Sequence, residues 1–171
     1  MEIPAQTNIP LRHALVVVTG ASTGIGAATA RELAKRGFHV LAGVRRDADA
    51  DAIRSANVEP SRLDITNEAE IAALVKHITD DPERRPLRAL VNNAGIAVNA
   101  PVEALPLSEW RRLFDVNLFG HIAMTQALLP AVPTQNSISR EIRGLRRVRC
   151  DEMHELSRTP ATPDGARQSG Q

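Results

Sequence analysis

Apolar runs of strand length alternate along the chain with stretches that repeat at helical spacing. Ala14-Leu15-Val16-Val17-Val18 is continuous and apolar, the pattern of a strand buried on both faces. Thr19-Gly20 ends it, and residues 24–36 predict a helix with Ile25, Ala28 and Leu33 on one side and Gly37 as its stop. Residues 38–44 predict a second strand, 47–55 a second helix and 58–63 a short third strand. Asn67 then offers an N-cap with Glu70 three residues on, the spacing of a capping box. Ile71, Leu74, Val75 and Ile78 follow at i, i+3, i+4 and i+7, one apolar helix face. Residues 88–91 predict a fourth strand. After a proline-punctuated loop, Ser108 is expected to cap a long helix through Trp110, Leu113, Phe114, Leu118 and Ile122 to Leu129.

Strands alternating with helices of this length imply βαβ units, a parallel sheet and right-handed crossovers. The periodicity stops at Pro130. Residues 135–171 carry seven arginines, four serines and scattered prolines and glycines, so they are expected to be poorly ordered. The chain thus divides into residues 1–132, with the fold, and an Arg-rich tail, 133–171.

Length and composition narrow the class. At 171 residues the chain holds one domain with a single core. A net charge of +1 argues against nucleic acid or a membrane surface as a charge-driven partner. The one dense basic stretch, Arg146-Arg147-Val148-Arg149, is followed at once by Asp151, Glu152 and Glu155, and no aromatic beyond Phe119 is present to stack on bases. No apolar run near the start spans a bilayer and no signal-peptide pattern precedes the first strand, so no membrane association is expected. The single cysteine, Cys150, forms no internal disulfide, which suits the cytoplasm. The five histidines lie far apart, without metal-ligand spacing, and no metal is expected.

The chemistry begins where the first strand ends, at Thr19-Gly20-Ala21-Ser22-Thr23-Gly24-Ile25-Gly26. Glycines let the backbone turn sharply and approach a pyrophosphate, and a helix N-terminus offers free N–H groups to phosphate. A strand before the loop and a helix after it form the required context. The spacing, Gly-x-x-x-Gly-x-Gly, differs from the Gly-x-Gly-x-x-Gly of other dinucleotide folds.

Residues 19–26 resemble the cofactor fingerprint of the short-chain dehydrogenase/reductase family. Three further stretches match in order and spacing: Leu63-Asp64-Ile65-Thr66, Asn92-Asn93-Ala94-Gly95, and Asn117 within Asp115-Val116-Asn117-Leu118-Phe119-Gly120. The resemblance covers about residues 11–132. It implies an α/β fold, a Rossmann-like doubly wound parallel sheet in strand order 3-2-1-4, truncated after the fourth strand and its following helix. It also implies a cofactor site made of Thr19, Gly20, Ser22, Thr23, Gly24, Ile25 and Gly26, with Asp64 and Ile65 beside the adenine ring. Asn92, Asn93, Ala94 and Gly95 would steady the sheet and flank the cofactor. Asn117 would be the helix asparagine of the catalytic tetrad, holding a water in the proton relay.

An NAD-preferring site of this kind carries an acid at the end of the second strand. Here that strand ends Val44-Arg45-Arg46, with no acid before Asp47. A guanidinium pairs with a 2′-phosphate, so Arg45 and Arg46 favour NADP over NAD.

The family's chemistry further uses a serine, a tyrosine as general acid/base and a lysine that lowers its pKa. The chain contains no tyrosine and no lysine after Lys76, and Ser137 and Ser139 lack a preceding apolar strand. Asn117 is the tetrad member that can be placed. The expectation is an oxidoreductase-family chain that is inactive as given; the alternative is a non-catalytic NAD(P)-binding module or dimerising fragment. Read one nucleotide later, codons around Val148 and Glu152 can spell tyrosine and lysine at Tyr-x-x-x-Lys spacing. The explanations are a frameshift near Pro133 or a protein that is genuinely divergent or deliberately short. The helix from Ser108 is a common dimer surface in the family, which implies a homo-oligomer or pairing with an intact relative.

Overall fold

The computed structural model describes residues 13–132. Four strands, β1 (Leu15–Val18), β2 (His39–Val44), β3 (Val58–Arg62) and β4 (Leu87–Val91), form one parallel sheet in the order β3-β2-β1-β4. The helices are α1 (Gly24–Lys35), α2 (Asp47–Ile53), α3 (Glu68–Thr79), α4 (Leu107–Phe114) and α5 (His121–Leu128). A π-helical segment, Asp115–Gly120, joins α4 to α5, and a 3-10 turn, Leu129–Ala131, follows. The chain steps outward from β1 to β3 and then crosses back to β4. This is the doubly wound parallel sheet expected from the sequence, with its switch point between β1 and β4. The poorly ordered tail expected over residues 133–171, and the frameshift reading placed there, lie outside the described residues.

All four residues of β1 and the last five of β2 are buried, because helices cover both faces of the sheet. Side chains alternate between those faces. Leu15, Val17 and Leu41 meet Ile71, Leu74 and Ile78 of α3 and Met124 and Leu128 of α5. Val16, Val18, Val40, Ala42 and Val44 meet Ala27 and Ala30 of α1 and Ile53 of α2.

Three local expectations are corrected. The buried side of α1 is Gly26, Ala27 and Ala30, with Leu33 and Ala34 packed against the core, whereas Ala28 is exposed and Ile25 is 80% exposed. The cause is close approach: a Cβ on Gly26 would collide with the Gly20 carbonyl oxygen and Asn93 Nδ2, so small size, not apolarity, marks the contact face. Helix α2 stops at Ile53, because Ser55 and Val58 exchange two backbone hydrogen bonds of 3.1 Å in a tight turn that redirects the chain into β3. Ser108 does not cap α4. Pro106 holds the N-cap position, with its carbonyl accepting from Glu109 N at 3.0 Å and Trp110 N at 3.3 Å, and its fixed φ presets the entry. Asn67 does cap α3, accepting from Ala69 N and Glu70 N.

Candidate functional site

Strand β1 delivers the chain to a turn at the switch point. Gly20 sits at φ +64°, and a Cβ there would come within 2.7 Å of Ala94 Cα, so both conformation and crowding call for glycine. Gly24 sits at φ +57° with nothing within 4 Å of a Cβ; here conformation alone requires it, and open space lies before the helix. Thr23, at the N-cap of α1, makes no side-chain cap bond, and the first turn carries no acidic residue. The positive end of the α1 dipole thus opens onto free space with no built-in counter-anion.

That space is a groove of about 960 Å³. Its floor is the glycine loop, and its walls are the ends of β2, β3 and β4 and the π-helical segment. Gly20, Ser22, Thr23, Gly24, Ile25, Gly26, Arg45, Asp64, Ile65, Asn93, Ala94 and Gly95, all expected from the sequence, line it together.

Four expected residues have other placements. Thr19 is fully buried beneath the floor, where its Oγ1 accepts from Asn93 N and Ala94 N, both at 2.9 Å, and donates to Val91 O at 3.4 Å. Asn93 answers by donating Nδ2 to Thr19 O at 2.9 Å and Gly20 O at 3.1 Å, so the β1 and β4 turns are tied in both directions. Arg46 turns away and pairs with Asp49 through Nε at 2.9 Å and Nη2 at 3.0 Å. Asn92 Nδ2 donates to Thr125 Oγ1 at 3.2 Å, and that hydroxyl donates in turn to His121 O at 2.8 Å. Asn117 accepts from Ile96 N at 2.9 Å and donates to Ile96 O at 2.8 Å, clamping the loop after β4 to the π-helical segment.

Asp64 lines the groove just beyond the end of β3. Its Oδ1 accepts from Thr66 N at 2.9 Å and Thr66 Oγ1 at 2.7 Å. Burial pushes its carboxyl up, but the two Thr66 hydrogen bonds and the Arg45 charge outweigh this and hold it below the usual carboxylate range. It is therefore ionised at neutral pH and acts only as an acceptor. Arg45, also on the wall, has no hydrogen-bond or ion-pair partner among the described residues.

The far wall escaped the sequence reading. Arg112, Asp115, Val116, Phe119, Gly120 and Ala123 line the groove around Asn117. They recur at three- and four-residue spacing, a stripe that could have been read from the helix pattern. Gly120 is buried, and a Cβ there would come within 2.8 Å of Ile65 Cδ1, so the close approach of the two elements calls for glycine. Among the described residues, no group of His, Cys, Asp or Glu could hold a metal, and no helix is long and apolar enough to cross a membrane.

The arrangement can hold an extended anion. Uncapped N–H groups, glycines that admit close approach, a guanidinium without a described partner and an acceptor carboxylate all line the groove. These features fit an extended ligand that carries a diphosphate.

The comparisons point the same way. A family profile described as short chain dehydrogenase matches residues 14–138. The chain is 38% identical over 117 residues to a 3-amino-tetrahydro-pyrrolizinone reductase of Xenorhabdus hominickii, covering 68% of this chain and 41% of that one. It is 37% identical over 126 residues to retinol dehydrogenase 16 of Homo sapiens, covering 71% and 40%. Among solved structures, a 3-ketoacyl-(acyl-carrier-protein) reductase from Brucella melitensis, complexed with NADH, matches with a TM-score of 0.65 at 30% identity, over 71% of this chain and 51% of that one. The ligand-free aldohexose dehydrogenase of Thermoplasma acidophilum matches with a TM-score of 0.62 at 35% identity, over 71% and 45%. The chain spans about 40% of the length of these curated relatives.

Proposed function

The chain belongs to the short-chain dehydrogenase family, and from that premise we propose that it binds NADP in preference to NAD and does not turn it over by the family's mechanism. The observation that carries the binding reading is the groove itself: glycines at positive φ before an uncapped helix N-terminus, with an open guanidinium at the second-strand end. Arg45 supports NADP, because a free guanidinium can pair with a 2′-phosphate and no acid stands at that strand end to accept a ribose hydroxyl. When bound, the nicotinamide supplies or accepts a hydride. The chain's own residues do the rest: the loop N–H groups hold the diphosphate, Arg45 the ribose phosphate and Asp64 the base, while Asn117 secures the loop that flanks them. These 171 residues contain no tyrosine to act as the acid/base group and no lysine beyond Lys76 to tune one. The single cysteine suits a reducing compartment, and we place the chain in the cytoplasm on that ground.

A fluorescence titration tests this reading. Wild type should enhance NADPH emission and bind it more tightly than NADH, and Arg45→Glu should weaken NADPH about tenfold or more with little change for NADH. Equal losses for both would make Arg45 a surface residue only. Consumption of NADPH with any carbonyl substrate would overturn the non-catalytic half of the proposal.

A second reading, that the chain pairs with itself or with an intact relative, is favoured by one observation. Phe114, Leu118, Ile122 and Leu129 leave an apolar stripe open along the helix after Pro106, each more than 40% exposed. Stripes of this kind drive association.

A further inference from the structure

Glu70 does not line the groove, yet it reaches the backbone of the residue that does. It stands at the third position of α3, where a capping-box glutamate would accept from the N-cap residue Asn67. That N–H is already used: Asn67 N donates to Asp64 O at 2.9 Å. Glu70 reaches three residues further back, and its Oε2 accepts from Asp64 N at 2.6 Å. Its other oxygen, Oε1, accepts from Arg62 Nε at 3.2 Å, so the carboxylate bridges the end of β3 and the start of the turn.

The polar atoms of Asp64 can be accounted for one by one. Its N–H is held by Glu70, its carbonyl by Asn67 and its Oδ1 by both donors of Thr66, while Oδ2 takes no hydrogen bond from a described residue. The result is a turn fixed from both sides, with one carboxylate oxygen left without a described donor on a residue that lines the groove. A carboxylate oxygen accepts from an exocyclic amine and repels a carbonyl.

We propose that Glu70 is a positioning residue, which by holding the Asp64 backbone sets the groove to accept an aminopurine and reject an oxopurine. The proposal rests on the dinucleotide reading above and adds to it a residue outside the groove that determines base selectivity. A glutamine at position 70 keeps an acceptor oxygen for Asp64 N. Alanine removes it, and aspartate is too short to span the same gap.

The test compares NADPH with its hypoxanthine counterpart, which carries a carbonyl in place of the adenine amine. Dissociation constants are measured by fluorescence for wild type, Glu70→Gln, Glu70→Ala and Glu70→Asp. Wild type should prefer NADPH, and Glu70→Gln should keep most of that preference. Glu70→Ala and Glu70→Asp should weaken NADPH about fivefold to tenfold while leaving the hypoxanthine analogue within about twofold, so the preference collapses. Should the alanine variant fail to fold, the aspartate variant decides alone. Parallel weakening of both dinucleotides, with the preference intact, would overturn the proposal by making Glu70 a purely structural cap. Wild type that binds both dinucleotides without preference would overturn it too, while leaving the binding reading standing. Wild type that binds neither would overturn the binding reading and this proposal with it.

Discussion

The two sides of the β1–β4 boundary are built to different standards. On the β1–β2 side, residues 15–18 and 40–44 are buried without exception, and helices seal both faces. On the β4 side, only Leu87 of the strand is buried, α4 buries no residue, and α5 contributes only Met124 and Leu128 to the core. The groove lies where the two meet. Its glycine loop stands on the sealed side, and its far wall is carried by the open one. The sealed side holds the glycine loop in place, whereas the open side leaves Phe114, Leu118, Ile122 and Leu129 exposed.

The contrast breaks most sharply by mutation of one leucine on each side. Leu41, 1% exposed at the centre of β2, touches the cluster shared by α3 and α5, and Leu41→Ala should cost about 2–5 kcal/mol through lost transfer energy and a residual cavity. Leu118, 44% exposed, should cost less than about 0.5 kcal/mol when changed to alanine and should instead reduce self-association. Urea denaturation and light scattering read the two effects. A Leu118→Ala variant as destabilised as Leu41→Ala would show that the open side is sealed in solution.

The same contrast explains what could be read from the sequence. The sealed side was legible because uninterrupted apolar runs such as residues 14–18 have one solution, a doubly covered parallel strand. The glycine loop was legible because Gly20 and Gly24 need positive φ and Gly26 needs space. The groove's far wall was not recognised: Arg112, Asp115 and Phe119 recur at helical spacing, but that spacing alone does not tell a groove wall from an ordinary exposed helix face. The buried stripe of α1 was misread for a related reason. Helix contact at Gly26, Ala27 and Ala30 is governed by how near the helix lies to the sheet, and hydrophobic size carries no record of that distance. Asn67 was found as a cap from its spacing, but the longer reach of Glu70 depends on the turn that Asn67 N closes.

The joint between the two sides is the next place to press. Thr19 Oγ1 satisfies two backbone N–H groups of the β4 turn inside a fully buried position. Thr19→Val keeps the volume and removes the acceptor, leaving Asn93 N and Ala94 N unpaired at a cost of about 2 kcal/mol. Since Asn93, Ala94 and Gly95 line the groove, affinity for dinucleotide should fall along with stability. Calorimetric unfolding with and without NADPH separates the two losses. Full affinity in a variant of reduced stability would mean that the joint supports the sheet without shaping the groove.

The smallest effect concerns the entry to the open side. Asp81 and Arg85 bracket the turn from α3 into β4, with side chains only 5% and 12% exposed. Arg85 N donates to Asp81 Oδ2 at 2.7 Å, and Arg85 Nε reaches the same oxygen at 3.1 Å. The guanidinium hydrogen bonds come first in holding the Asp81 carboxyl below its usual range. Burial opposes them, and the Arg85 backbone N–H with the charges of Arg85 and His39 completes the shift. A carboxyl depressed in the folded state contributes stability above its unfolded pKa and loses it as pH falls through the folded value. Asp81→Asn keeps an acceptor but not the charge, and Glu83, 3.8 Å from Arg85, remains as a second partner, so the cost at neutral pH should be about 1.5 kcal/mol, the low end for a hydrogen bond to a charged group. The difference between wild type and variant should stay constant from pH 7 to about pH 4 and then shrink towards zero in more acidic solution, when the wild-type carboxylate also loses its charge. Chemical denaturation of both proteins across that range measures the difference directly. A gap that persists unchanged at pH 2 would show that the geometry of the Asp81 side chain, and not its charge, closes the turn into β4.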